Sequence, residues 1–222
     1  MNAIQQIIGW MPALLQATGV TLALSVTSVL TALVLAVFLA LGKISKNTVL
    51  RSVCGAYIFF FRGTPLLMQL FFLYYTLPQL VPAFNIQSRF LAAWIAFSLN
   101  VAAYLAEIIR AGILAVDGGQ NEAARSLGLS SWQSMKLVVL PQAIKNILPA
   151  LANELVTMVK ESSICSVLGM TELIWGAKTV ATTTYKTLSP YVLAALVYFV
   201  INYPAGKAIE AIERRMRRGD RI

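Results

Sequence analysis

Two carboxylates, Glu154 and Glu161, stand seven positions apart in an apolar run from about residue 144 to residue 168. In an α-helix they share one face, about 10 Å apart along the axis. An ionised group in hydrocarbon costs on the order of 3 kcal/mol and usually faces a cavity or a partner. A carboxylate pair so placed can receive a cationic side chain or an α-ammonium group. Internal neutralisation is the alternative, because Lys160 is adjacent and Arg62 stands in another apolar run. Asn100, Tyr104 and Glu107 follow i, i+4, i+7 and share a helical stripe. Asn100 and Tyr104 can hydrogen-bond a solute or serve as polar glue between helices. Glu107 reads as an ion-pair partner of Arg110 or Arg62. The run Arg62-Gly63-Thr64-Pro65 breaks a helix, and broken helices present backbone donors that can hold a carboxylate. Gly63, Thr64, Pro65 and the backbone at Leu66 are the candidates, against a proline kink satisfied by neighbouring groups.

The elements that must position these groups are membrane helices. Of 222 residues, 58% are hydrophobic and 12% charged, and mean hydropathy is +0.72. A soluble domain is about 25% charged. Apolar runs near 17–41, 53–77, 90–114, 144–168 and 188–209 each reach the roughly 20 residues that cross a bilayer. The expected fold class is all-α: a polytopic membrane protein of about five spans, a single domain over 1–222. Any ATPase or ligand-capturing module is then a separate chain. A polar connection near 169–187 has room for a short helix, and a basic tail covers about 210–222. The N-terminus lacks a positive region before its apolar stretch, so no cleaved signal peptide is expected.

Several chemistries are excluded. Histidine is absent, which removes imidazole bases and imidazole metal ligands. Cys54 and Cys165 form no CxxC and read as buried thiols. No serine elbow or metal cluster supports an enzyme, and no cofactor is expected in this chain. The net charge of +9 need not mean nucleic acid, because Lys and Arg collect on cytoplasmic loops of membrane proteins. Of 18 Lys and Arg, only Arg89, Lys178 and Lys186 fall on one side, Arg62 and Lys160 fall within runs, and the remainder fall on the other side. The asymmetry predicts the N-terminus outside, and the C-terminus and the connection near 117–141 inside.

That connection has its own logic. Glu122-Ala123-Ala124-Arg125 favours helix, Gly128 suits a helix end at positive φ, and Ser130 or Ser131 can cap a second stretch. Pro141 is expected to end or bend that stretch. Taken alone, the segment is either a docking device or a plain amphipathic connector.

Its pattern, Glu122-Ala123-Ala124, Gly128, Val138 and Leu140-Pro141, resembles the EAA motif of ABC importer permeases, with Val138 where the family commonly has Ile. Gly119-Gln120, Gln142-Ala143, Arg62-Gly63-Thr64-Pro65, Ala103-Tyr104-Leu105-Ala106-Glu107 and Lys160-Glu161-Ser162-Ser163 extend the match, over roughly 18–215. Together they look like the membrane subunit of the polar amino acid ABC importers.

The resemblance implies a type I importer permease fold in a bacterial inner membrane. It implies a second permease subunit, two ATPases that bind ATP and Mg, and an extracytoplasmic amino acid binding protein. Glu122, Ala123, Ala124, Arg125, Gly128, Leu129 and Trp132 would form the coupling helix on the ATPase. This chain has no GxxxxGK[ST] loop, so it is not expected to hydrolyse ATP. Glu154 resembles the family's charged site positions, and a carboxylate there leans the substrate toward basic amino acids. An ion-coupled secondary amino acid transporter is the alternative; it explains the intramembrane carboxylates but not the coupling segment.

Overall fold

The structure, a computed structural model, describes residues 3–218. Arg221 and the tail beyond Arg218 lie outside the described residues. Every regular element among them is helical: α1 Ala3–Ile44, α2 Thr48–Gly63, α3 Leu66–Phe71, α4 Leu77–Leu80, α5 Arg89–Leu114, α6 Gly118–Ser126, α7 Ser131–Ser134, α8 Leu140–Glu161, α9 Leu173–Thr184 and α10 Leu188–Arg218. Four helices are long and apolar enough to cross a membrane, and a fifth span results if the pair broken at Gly63–Leu66 counts as one. The predicted all-α, multi-span architecture is therefore the one observed.

The polarity of α1 is that of a lipid-facing helix. Its buried side combines small residues, Ala17, Thr21, Ser25, Ser28, Ala32 and Ala36, with Leu14, Leu24 and Val29. Its exposed residues are large and aliphatic or aromatic, such as Leu30, Val34 and Phe38. Between helices in lipid, close approach of small residues replaces the hydrophobic effect. The hydroxyls need partners there, and Ser25 Oγ donates to the Thr21 carbonyl at 2.8 Å. α5 likewise buries small residues, Ala92, Ala96, Ala102 and Ala103, together with Val101 and Leu105.

The chain forms two compact units, each drawn from three stretches. One unit holds Met1–Leu30, Leu66–Ser98 and Leu155–Lys207. Its core joins Leu14, Leu173, Ala177 and Ala194. Gly176 lets α9 lie close on α1, since a Cβ there would stand 2.9 Å from the Ala17 Cβ. The other unit holds Thr31–Pro65, Leu99–Glu154 and Ala208–Ile222. Within it, Tyr57 OH donates to the Leu99 carbonyl at 2.8 Å and ties α2 to α5. A Cβ on Gly112 would collide with Ile147, so that glycine sets the approach of α5 and α8.

One expectation is corrected. Pro141 does not end its helix. Met135–Val139 adopts the wide i→i+5 turn, with Leu140 N–H on the Met135 carbonyl, and the helix runs on from Ser131 to Leu168. The extra residue in the preceding turn accommodates the pyrrolidine ring, which has no N–H to place. α10 continues to Arg218 and includes the described part of the basic tail.

Candidate functional site

The break in the second span is built from its own orphan carbonyls. α2 stops at Gly63, Thr64 is extended (φ −120°, ψ 142°), and α3 starts at Leu66. A helix end leaves four carbonyls without helical partners. Thr64 Oγ1 takes the Phe60 carbonyl at 2.9 Å, and Asn100 Nδ2 takes the Phe61 carbonyl at 3.1 Å. Asn100 is buried on α5, so the polar stripe expected there supports the break directly. Four residues on, the Tyr104 ring lies under Arg62, with the guanidinium carbon 5.4 Å from the ring centroid.

Around these groups is a cavity of about 420 Å³ lined by Lys43, Phe59, Arg62, Gly63, Tyr104 and Glu107, among others. Glu107 pairs with Arg110 one turn along α5, with Arg110 Nε donating at 2.9 Å. The expected Glu107–Arg110 pair is thus formed, and the charges of Arg62 and Lys43 also act on Glu107. Gly63, Tyr104 and Arg62 are brought together. Glu154 and Glu161 both lie on α8, each half-buried, and Glu161 is its final residue. Lys160 points to an exposed surface, and Glu154 has polar or charged neighbours of its own.

The connection after α5 is a tightly specified helix–turn–helix. The Asp117 side chain caps α6, accepting from Gly119 N–H at 2.6 Å. At the other end Gly128 has φ +86°, Gly128 N–H bonds the Arg125 carbonyl at 3.0 Å and Leu129 N–H bonds the Ala124 carbonyl at 3.2 Å. That pair of bonds is the Schellman motif, which calls for glycine at this position. Ser130 then forms a capping box with Gln133: Gln133 N–H donates to Ser130 Oγ at 3.2 Å and Ser130 N–H to Gln133 Oε1 at 2.8 Å. Ser134 Oγ, fully buried, donates to Asn121 Oδ1 at 2.6 Å and clamps α7 on α6. Arg125 braces the turn by donating to the Leu129 carbonyl at 2.7 Å.

Glu122, Ala123, Arg125, Gly128 and Trp132 are exposed, Leu129 is half-buried and Ala124 is buried. The exposed surface is more apolar than the motif alone suggests: Leu127 is 84% exposed and Trp132 71%. Leu127 falls within the stretch of about 123–133 that the coupling reading assigns to the ATPase contact, as the last large residue before a turn glycine.

Sequence reasoning also passed over Glu172. It is fully buried, caps α9 by accepting from Ile174 and Trp175 N–H at 2.8 and 2.7 Å, and accepts from Tyr198 OH at 3.3 Å. Burial, the largest influence, pushes its carboxyl up from the ordinary value, outweighing the donors that oppose it. The available signal was an acid directly before the apolar run Leu173-Ile174-Trp175.

Comparison with known proteins gives a consistent picture. The family described as binding-protein-dependent transport system inner membrane component matches residues 32–218. The arginine transport system permease protein ArtQ of Bacillus subtilis is 43% identical over 209 residues, 94% of either chain. The putative glutamine transport system permease protein GlnP of Rickettsia conorii is 43% identical over 204 residues, 91% of this chain and 92% of that one. The crystal structure of an amino acid ABC transporter with histidines aligns at TM-score 0.91 and 42% identity, covering 97% of this chain and 99% of the other. An inward-facing MetNI methionine ABC transporter shares the fold at TM-score 0.65 and 19% identity, over 96% and 99% of the two chains.

Proposed function

The chain belongs to the inner membrane components of binding-protein-dependent transport systems, and on that premise we propose that it passes basic L-amino acids, with Glu154 and Glu161 receiving their positive charge. It is the transmembrane subunit of an ATP-driven amino acid importer, a transport component rather than an enzyme, and not an ion-coupled carrier. It is a multi-pass inner membrane protein that works with an ATPase and a substrate-binding protein.

The finer reading rests on one observation: two half-buried carboxylates seven residues apart on α8. The relatives' names do not choose the substrate, because the arginine and glutamine permeases are equally similar at 43%. A half-buried carboxylate favours a cationic side chain over an uncharged amide, which supports the basic reading. In this reading the α-carboxylate lies against the broken backbone at Gly63, Thr64, Pro65 and Leu66. Asn100 fixes that break and Tyr104 fixes Arg62 beside it. The N-terminus lies outside and the segment 117–141 inside. Two permease subunits stand over two ATPases that bind ATP and Mg, and α6, α7 and the turn between them pass the ATPase stroke to the spans.

Uptake by the assembly reconstituted in proteoliposomes, with its binding protein and enclosed ATP, tests this. Glu154→Gln lowers arginine uptake at least tenfold and spares glutamine uptake, while the ATPase still co-purifies. Arginine uptake equal to wild type removes Glu154 from the site.

A further inference from the structure

Tyr185 is the one non-glycine residue at positive φ among the described residues, at φ 54°, ψ 26°. A β-carbon makes that left-handed conformation unfavourable, so it persists only where surroundings impose it. It is also 94% exposed, a large aromatic side chain held in the open at the C-terminal end of α9. An exposed aromatic on a strained backbone contributes nothing to the chain's own core.

The helix that leads to it is anchored at its far end: Glu172 caps the start of α9, and Leu173 N–H donates to Thr21 Oγ1 on α1 at 3.1 Å. The next residue, Lys186, is tied by its Nζ to Gln6 Oε1, also on α1. Tyr185 thus stands between a helix anchored at its start and a lysine anchored to α1, and an exposed aromatic so placed is suited to serve as an anchor residue at an interface.

The exposed charges of the segment between Leu168 and Leu188 have one sign. Lys178 and Lys186 are exposed, and the single acid between Leu168 and Leu188, Glu172, is fully buried. Resting on the importer reading and the outward orientation proposed above, we infer that Tyr185, flanked by Lys178 and Lys186, is a docking contact for the extracytoplasmic binding protein, which meets it with an acidic patch. The lysines steer the approach and the ring supplies the desolvated centre.

The test uses the assembly in nanodiscs and its purified, arginine-loaded binding protein. Tyr185→Phe binds as wild type. Tyr185→Gly, which relieves the backbone strain, and Tyr185→Asn, which tolerates it, each weaken binding at least tenfold and lose the binding-protein stimulation of ATPase, with the basal rate retained. Lys178→Glu weakens binding and flattens its dependence on salt. Tyr185→Cys reacts with a membrane-impermeant maleimide from outside and is protected by bound partner. Wild-type affinity in Tyr185→Gly overturns the inference, as does a Tyr185→Cys thiol shielded by the bilayer with no partner present. A wild-type assembly that ignores the loaded binding protein overturns the importer reading beneath it.

Discussion

Asn100 on α5 and Phe61 on α2 are joined by an amide-to-carbonyl hydrogen bond of 3.1 Å at the point where α2 stops. That bond lets a helix end inside an apolar layer without leaving a bare carbonyl. Hydrogen bonds between membrane helices contribute about 1 kcal/mol. Asn100→Leu is expected to lower unfolding free energy in detergent by about that amount, and Asn100→Gln to recover part of it. An Asn100→Leu variant as stable as wild type would remove this role.

Gly128 is required by geometry rather than by space: its φ is +86°, and a built Cβ meets nothing within 4 Å. A β-branched residue there opposes the left-handed conformation by about 1–2 kcal/mol, which opens the turn or reshapes it. Gly128→Val should leave the spans folded but cut arginine uptake and co-purification of the ATPase at least tenfold. Gly128→Asn should be milder, since Asn enters that region more readily. Equal effects from the two would argue for contact chemistry instead of backbone conformation.

Leu127 and Trp132 are exposed apolar groups flanking one turn. If they enter the ATPase, Trp132→Ala weakens its attachment by about 2 kcal/mol, a thirtyfold change, as for a buried aromatic anchor. Thermal unfolding of the permease alone should not move, because neither side chain is buried in it. A stability loss with unchanged ATPase affinity would sink the assignment.

Glu172 gives a pH dependence with a defined sign. Its ordinary value is 4.5 and burial raises it in the folded protein. The native state then holds the proton more tightly than the unfolded chain. Its contribution is full below about pH 4.5 and is lost as pH rises toward the higher folded value. Thermal stability of wild type should therefore fall across that window, and Glu172→Gln should be flatter. Parallel curves for the two proteins would contradict the shift.

Much of this protein was readable before any coordinates. Lipid demands helices whose backbone is satisfied internally, so apolar run length indicated an all-α bundle, and Gly63-Thr64-Pro65 indicated a break in the second span. Gly128 and Ser130 announced their turn, because Schellman and capping motifs are local and carried by a few adjacent residues. Pro141 misled for the same reason: a local rule stops a helix there, but a wide turn just upstream absorbs the ring. What needed tertiary structure was every partner distant in sequence. Nothing near Asn100 points to Phe61, nothing near Glu172 points to Tyr198, and no local pattern sets Tyr185 in the open at positive φ. Helix formation follows from neighbours within about four residues, whereas the satisfaction of a buried polar group depends on which helices meet, and only the folded chain decides that.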